Sequence, residues 1–206
     1  MQQNGLFDVF LGVVLLANAL SNLLDEVGVA SAIRIGATLA LYAGGVLGFW
    51  LARKKYVVPR VGVVKFGPRR RLRIRQARIA LAVSVTLTLV LAALAMISRL
   101  PLSAGFSALG RYAPSALIGI MVLIPLIALA YALDYPRMVV HGMLFVGAEF
   151  ATVALGQSTR MLVPGAIAFG VAAAASLSIG LVVFSRFLRS VPRVRGFPAE
   201  ADVHDR

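Results

Sequence analysis

Six apolar segments, each 19 to 23 residues long, take up most of this chain. They run from Leu6 to Leu24, Val29 to Leu51, Ile79 to Ser98, Pro114 to Leu133, Met138 to Gly156 and Leu162 to Phe184. At about 1.5 Å per residue, each is long enough to cross roughly 30 Å of hydrocarbon. Backbone polar groups find no water in lipid, so such segments must be helices. Sixty per cent of the residues are hydrophobic, and the mean hydropathy is +0.88. Soluble domains are apolar at only about half their positions. The expectation is an all-α, polytopic membrane bundle over residues 1–184, with no space for a large soluble domain.

The connections between segments are short except for residues 52–78. Short links make consecutive helices antiparallel neighbours, which gives three hairpins. Eleven of the 21 Lys and Arg residues fall in the long connection. With Arg137 and the five cations after Phe184, one side of the bundle carries 17. The other side carries Arg99, Arg111 and Arg160, and Arg34 lies inside the second segment. Cationic loops stay in the cytoplasm, so both termini and the basic loop are expected inside the cell. The location expected is the inner (cytoplasmic) membrane, with residues 185–206 as a disordered cytoplasmic tail.

The first segment carries Asp8, Asn18 and Asn22, and Ala17-Asn18-Ala19 has the form of a signal-peptidase site. The residues before it contain no Lys or Arg, which a signal peptide requires. A retained span is the favoured reading, with cleavage as the alternative.

The chain has no cysteine. Disulfides, thiolate metal sites and Cys nucleophiles are excluded. No His-Glu-x-x-His run and no glycine-rich phosphate loop occurs. A bis-imidazole haem needs two intramembrane His, and there is one. Gly105-Phe106-Ser107-Ala108, the nearest thing to a buried serine nucleophile, sits in an outer connection without a facing His. No enzyme, cofactor or metal is therefore expected. A net charge of +13 is accounted for by the positive-inside bias, and nucleic acid is not expected as a partner.

Residues 56–66, Tyr-Val-Val-Pro-Arg-Val-Gly-Val-Val-Lys-Phe, lie in the basic loop. The string resembles the Tyr-Pro-Arg-x-Gly-Tyr-Val-Lys segments of uncharacterised prokaryotic integral membrane proteins. Here two valines separate Tyr56 from Pro59, and Val63 replaces the aromatic. The resemblance implies a prokaryotic inner-membrane protein and carries over no activity.

Arg53, Lys54, Lys55, Arg60, Lys65, Arg69, Arg70, Arg71, Arg73, Arg75 and Arg78 form the basic loop's cationic set. Such clusters beside a span attract anionic lipid headgroups at about 1 kcal/mol per charge. Pro-Arg steps at Pro59-Arg60, Pro136-Arg137 and Pro192-Arg193 follow each hairpin at spacings of 77 and 56 residues. They read as helix ends whose arginines snorkel to the interface, or as traces of a threefold repeat.

Residues four apart share a helix stripe. Gly36, Gly44 and Gly48 in the second segment, and Gly170 in the sixth, fall on small-residue stripes that allow close helix packing. They predict internal packing or, through the second segment, a homodimer or membrane-protein partner. Pro125 in the fourth segment predicts a kink.

Glu149 is the most informative intramembrane residue. A charge at that depth costs ~2.5–3.5 kcal/mol, so it should be neutral, paired or facing a pathway. Thr152 lies one turn on and Arg34 is a possible partner, although Asp25 and Glu26 are nearer to Arg34 in sequence. His141 sits toward the cytoplasmic end of the same helix, about 12 Å from Glu149 along the axis. There it is expected as a hydrogen-bonded surface residue, and it cannot share a ligand with Glu149. Two functions fit: a non-enzymatic scaffold or accessory subunit that grips anionic lipid, or a small transporter or channel using Glu149 for proton or cation coupling.

Overall fold

The computed structural model describes residues 4–61, 112–158 and 163–191, together with Arg75, Ile79, Ala82 and Thr86, which are helical and exposed. The described chain contains five long helices: α1 (Leu6–Glu26), α2 (Ser31–Ala52), α3 (Ala113–Leu133), α4 (Arg137–Ser158) and α5 (Pro164–Ser190). All five are long and apolar enough to cross a membrane. The protein is all-helical, and five of the six expected segments are helices of spanning length. Most of the third segment (79–98) and most of the basic loop lie outside the described residues. So do the outer connection 99–111 and the tail from residue 192.

Two helices run past their apolar segments. Beyond Leu51 a π-helical turn (Arg53–Val57) and a final α-turn (Val58–Val61) prolong α2 into the basic stretch. Pro59 has no N–H to give this continued ladder, and it falls directly after the wider π-turn, where the hydrogen-bond pattern has already shifted. Likewise α5 runs to Ser190, past residue 184. Long basic and aromatic side chains are good enough helix formers to continue a helix beyond the apolar core.

The turn between α1 and α2 uses Gly28 at φ 76°. Asp134 ends α3 at φ 54°, a left-handed conformation that Asp tolerates better than most residues. Tyr135 and Asp134 donate back to the carbonyls of Ala130 and Tyr131, so the last turn of α3 is closed without glycine.

α1 packs most extensively against α5, and then against α2. α3 packs on α4, and α4 on α5. The core centres on Leu15 and Ala19 of α1, Ala148 of α4, and Ala168, Phe169, Ala172 and Ala173 of α5. Small residues dominate it. Lipid supplies no hydrophobic drive between helices, so association depends on close van der Waals contact. At the basic end, Ala130, Tyr135 and Met138 form a second cluster over Phe7 and Leu11.

Glycine sets the α1–α5 distance. A Cβ at Gly180 would lie 2.5 Å from the Val9 nitrogen, and one at Gly12 would meet Leu177 at 2.7 Å. Gly5, at φ 69°, begins α1 directly against the Gly180 carbonyl and Phe184. At the opposite end the Gly165 N–H donates to Glu26 Oε1 at 2.9 Å. That carboxylate satisfies one of the free N–H groups at the start of α5.

Among the described residues, a Cβ at Gly36, Gly44, Gly48 or Gly170 would meet nothing within 4 Å. α2 has no buried residue, and Ile33, Leu39, Leu47 and Trp50 are all more than half exposed. Close helix contacts are made instead by Gly5, Gly12, Gly165 and Gly180, by Gly45 of α2 against Val13, and by Gly142 of α4 against Leu123.

Candidate functional site

Three polar side chains meet inside the bundle near the basic end. Asp8 and Ser176 are fully buried, and His141 is 2% exposed. Asp8 is one turn into α1, His141 is one turn into α4, and Ser176 is on α5. Asp8 Oδ1 lies 2.7 Å from His141 Nε2, and His141 Nδ1 lies 2.9 Å from Ser176 Oγ. Ser176 Oγ is also 3.2 Å from the Asp8 main-chain carbonyl. Arg137, one turn before His141, reaches Asp8 Oδ2 at 3.4 Å. The close approach at Gly180 and Val9 makes this possible: Ser176 is one turn away on the same stripe of α5.

These distances permit two proton arrangements. With neutral His141, Nε2–H donates to Asp8 and Nδ1 accepts the Ser176 hydroxyl. With imidazolium, Nδ1–H donates to Ser176 Oγ, and the hydroxyl turns to the Asp8 carbonyl. Every polar atom keeps a partner in both. The group is buried and hydrogen-bonded within itself, which is how buried polar groups are tolerated.

Tyr135 closes the network on the loop side. Its ring packs on Phe7 at 6.2 Å between centroids, and Arg137 lies over its face at 6.0 Å. Burial, reinforced by the Asp8 carboxylate, pushes the Tyr135 hydroxyl above the usual phenol range. That hydroxyl is buried without a geometrically sound hydrogen bond among the described residues.

Several expectations about the polar residues are corrected. His141 is in the core, not at a surface. Arg34 pairs with Asp25 and not with Glu149. The Thr152 hydroxyl donates to the Ala148 carbonyl at 2.8 Å, one turn back, and not to Glu149. Short side-chain hydroxyls on a helix reach their own i−4 carbonyl most cheaply. Glu149 is half-buried and has no hydrogen-bond or ion-pair partner among the described residues. Asp8 and Ser176 were not singled out by sequence reasoning.

A cavity of about 410 Å³ adjoins His141. Its walls are Leu11, Val14, Leu15 and Asn18 of α1, Tyr42 of α2, Met121, Val122, Pro125, Leu126 and Leu129 of α3, and His141 and Phe145 of α4. The α1 residues form a single i, i+3, i+4, i+7 stripe. Glu149 is not on its wall.

The end of α2 is a third feature. Arg53, Lys54 and Lys55 are exposed. Lys54 Nζ sits 5.5 Å from the Trp50 ring centre and Lys55 Nζ 5.7 Å from that of Tyr56. No carboxylate pairs with any of them among the described residues. Arg60 turns inward, donating through Nε to the Val191 carbonyl at 3.0 Å and through a terminal nitrogen to Tyr56 O at 2.8 Å. Of the expected headgroup-binding cations, Arg53, Lys54, Lys55, Arg60 and Arg75 are described; Lys65, Arg69, Arg70, Arg71, Arg73 and Arg78 lie outside the described residues. Among the described residues no His, Asp and Glu cluster has the form of a metal site.

No protein-family model matches the chain, and neither a curated protein nor a solved structure shows significant similarity to it.

Proposed function

We propose that this is a non-enzymatic, multi-pass inner-membrane protein that serves as a scaffold or accessory subunit and holds anionic lipid headgroups at its cytoplasmic face. In this reading six spans form three hairpins with both termini inside the cell. The 17-to-3 distribution of Lys and Arg supports that orientation. The observation that carries the lipid reading is the exposed trio Arg53, Lys54 and Lys55 around the π-helical turn, which has no carboxylate partner among the described residues and is backed by Trp50 and Tyr56. Aromatic rings at headgroup depth and unpaired cations together match an anionic leaflet. The Asp8–His141–Ser176 network fits a scaffold because each of its groups is already satisfied. The test is native mass spectrometry of the protein from bilayers containing phosphatidylglycerol. Native protein should retain the anionic lipid over phosphatidylcholine, and the triple Gln variant of Arg53, Lys54 and Lys55 should lose that preference. Equal retention of both lipids by native protein removes the reading.

A second reading is supported by the two proton arrangements of Ser176 and His141. A group that takes up a proton without losing a hydrogen bond suits proton coupling, with His141 rather than Glu149 at its centre. In proteoliposomes under an imposed pH gradient, this reading requires proton flux that His141→Gln abolishes and Glu149→Gln leaves intact. Flux no greater than in empty vesicles rejects it.

A further inference from the structure

We propose that the cavity between α1, α2, α3 and α4 binds a neutral single-chain amphiphile, a long-chain alcohol or protonated carboxylic acid, with its head against Asn18 and Tyr42. The inference concerns the bundle interior and stands apart from headgroup binding at the basic end.

The head position follows from hydrogen-bond accounting. Asn18 Nδ2 donates to the Val14 carbonyl at 2.9 Å and to the Tyr42 hydroxyl oxygen at 3.2 Å. Only the amide nitrogen can bond a carbonyl, so the orientation of the Asn18 amide is fixed. Its Oδ1 therefore remains an acceptor with no donor among the described residues. Tyr42, having accepted from Asn18, keeps an O–H with no acceptor there. Pro125 has no N–H to give the Met121 carbonyl, and both residues line the cavity. Among the described residues the wall thus offers one free side-chain donor, at Tyr42, and one free side-chain acceptor, at Asn18, which suits a ligand that carries an O–H.

The same accounting excludes a charged head. A carboxylate or phosphate would set anionic oxygens against Asn18 Oδ1 inside an apolar site. A cationic head would find no anion, since Asp8 is closed off by its own partners. An alcohol or a protonated acid gives one O–H to Asn18 Oδ1 and accepts one from Tyr42.

Size and polarity set the tail. The remaining lining is Leu, Val, Met, Pro and Phe apart from His141, and both nitrogens of His141 are engaged, so its ring presents carbon. At roughly 30 Å³ per water-sized group, the cavity accommodates about 14 non-hydrogen atoms. A twelve-carbon chain with its head meets that limit.

The test uses the full chain in phospholipid nanodiscs and a dodecan-1-ol probe bearing a mid-chain diazirine. After photolysis, peptide mass spectrometry should place the label on the segments holding Leu15, Leu126 and Phe145. Excess dodecan-1-ol should compete, as should dodecanoic acid at a pH low enough to protonate it, while dodecane should not. Tyr42→Phe and Asn18→Leu should each reduce labelling about tenfold, the equivalent of one hydrogen bond. Tyr42→Phe removes a single oxygen, so it decides the matter if Asn18→Leu fails to fold. Competition by dodecane equal to that of the alcohol overturns the proposal. So does native-level labelling of a folded Tyr42→Phe, or label confined to the exposed face of α2.

Discussion

His141 Nε2 stands 2.7 Å from Asp8 Oδ1, a contact between residues 133 positions apart in a site closed to solvent. Removing the Asp8 carboxylate leaves the buried His141 Nε2–H without an acceptor, which costs about 1–3 kcal/mol. Asp8→Ala should destabilise the bundle by that order. Ser176→Ala should cost about 1–3 kcal/mol, the cost of one unsatisfied buried group. Reversible unfolding in mixed micelles measures both; an Asp8→Ala variant as stable as native protein contradicts the assigned network.

Gly180→Ala tests the spacing. An added methyl would press on the Val9 backbone, which cannot yield as a side-chain tip does. The expected loss is about 1–3 kcal/mol. Gly44→Ala should change stability by less than about 0.5 kcal/mol, because its Cβ would enter open space.

Tyr135→Phe should be neutral or stabilising by up to about 1 kcal/mol, because it removes a buried hydroxyl that has no sound hydrogen bond. A loss above about 1 kcal/mol would mean that the hydroxyl does bond Asp8 in the membrane. The same unfolding assay reads the sign.

Arg34 and Glu149 should be uncoupled. Arg34 is paired with the largely exposed Asp25, and exposed pairs are worth at most about 1 kcal/mol. A double-mutant cycle of Arg34→Ala and Glu149→Gln should give an interaction energy within about 0.5 kcal/mol of zero.

The spans were legible because length and apolarity suffice to specify a helix in lipid, as Met138–Gly156 within α4 illustrates. Their ends were not. Trp50 to Val61 mixes rings and cations whose long side chains keep a helix going after the apolar signal has stopped. The site was hidden for a different reason. Asp8 reads as a blemish in the first span, and His141 as an interfacial residue. One available signal was that both lie about a turn inside segments that the expected six-span order starts on the same side. Ser176 gave no signal of its own, since it is one of four serines in α5. The small stripes left their partner open, because spacing shows which helix could approach closely, not which one does. Among the described residues Gly180 has a close neighbour and Gly44 has none.

The tight seam between α1 and α5 also has a consequence for assembly order. Asp8 leaves the ribosome more than a hundred residues ahead of both His141 and Ser176. Until those two arrive, the first helix carries an acid without the partners that hold it in the folded bundle. The finished arrangement can therefore form only after the last helix has been inserted, and a chain truncated before Pro164 leaves its opening helix without its principal neighbour.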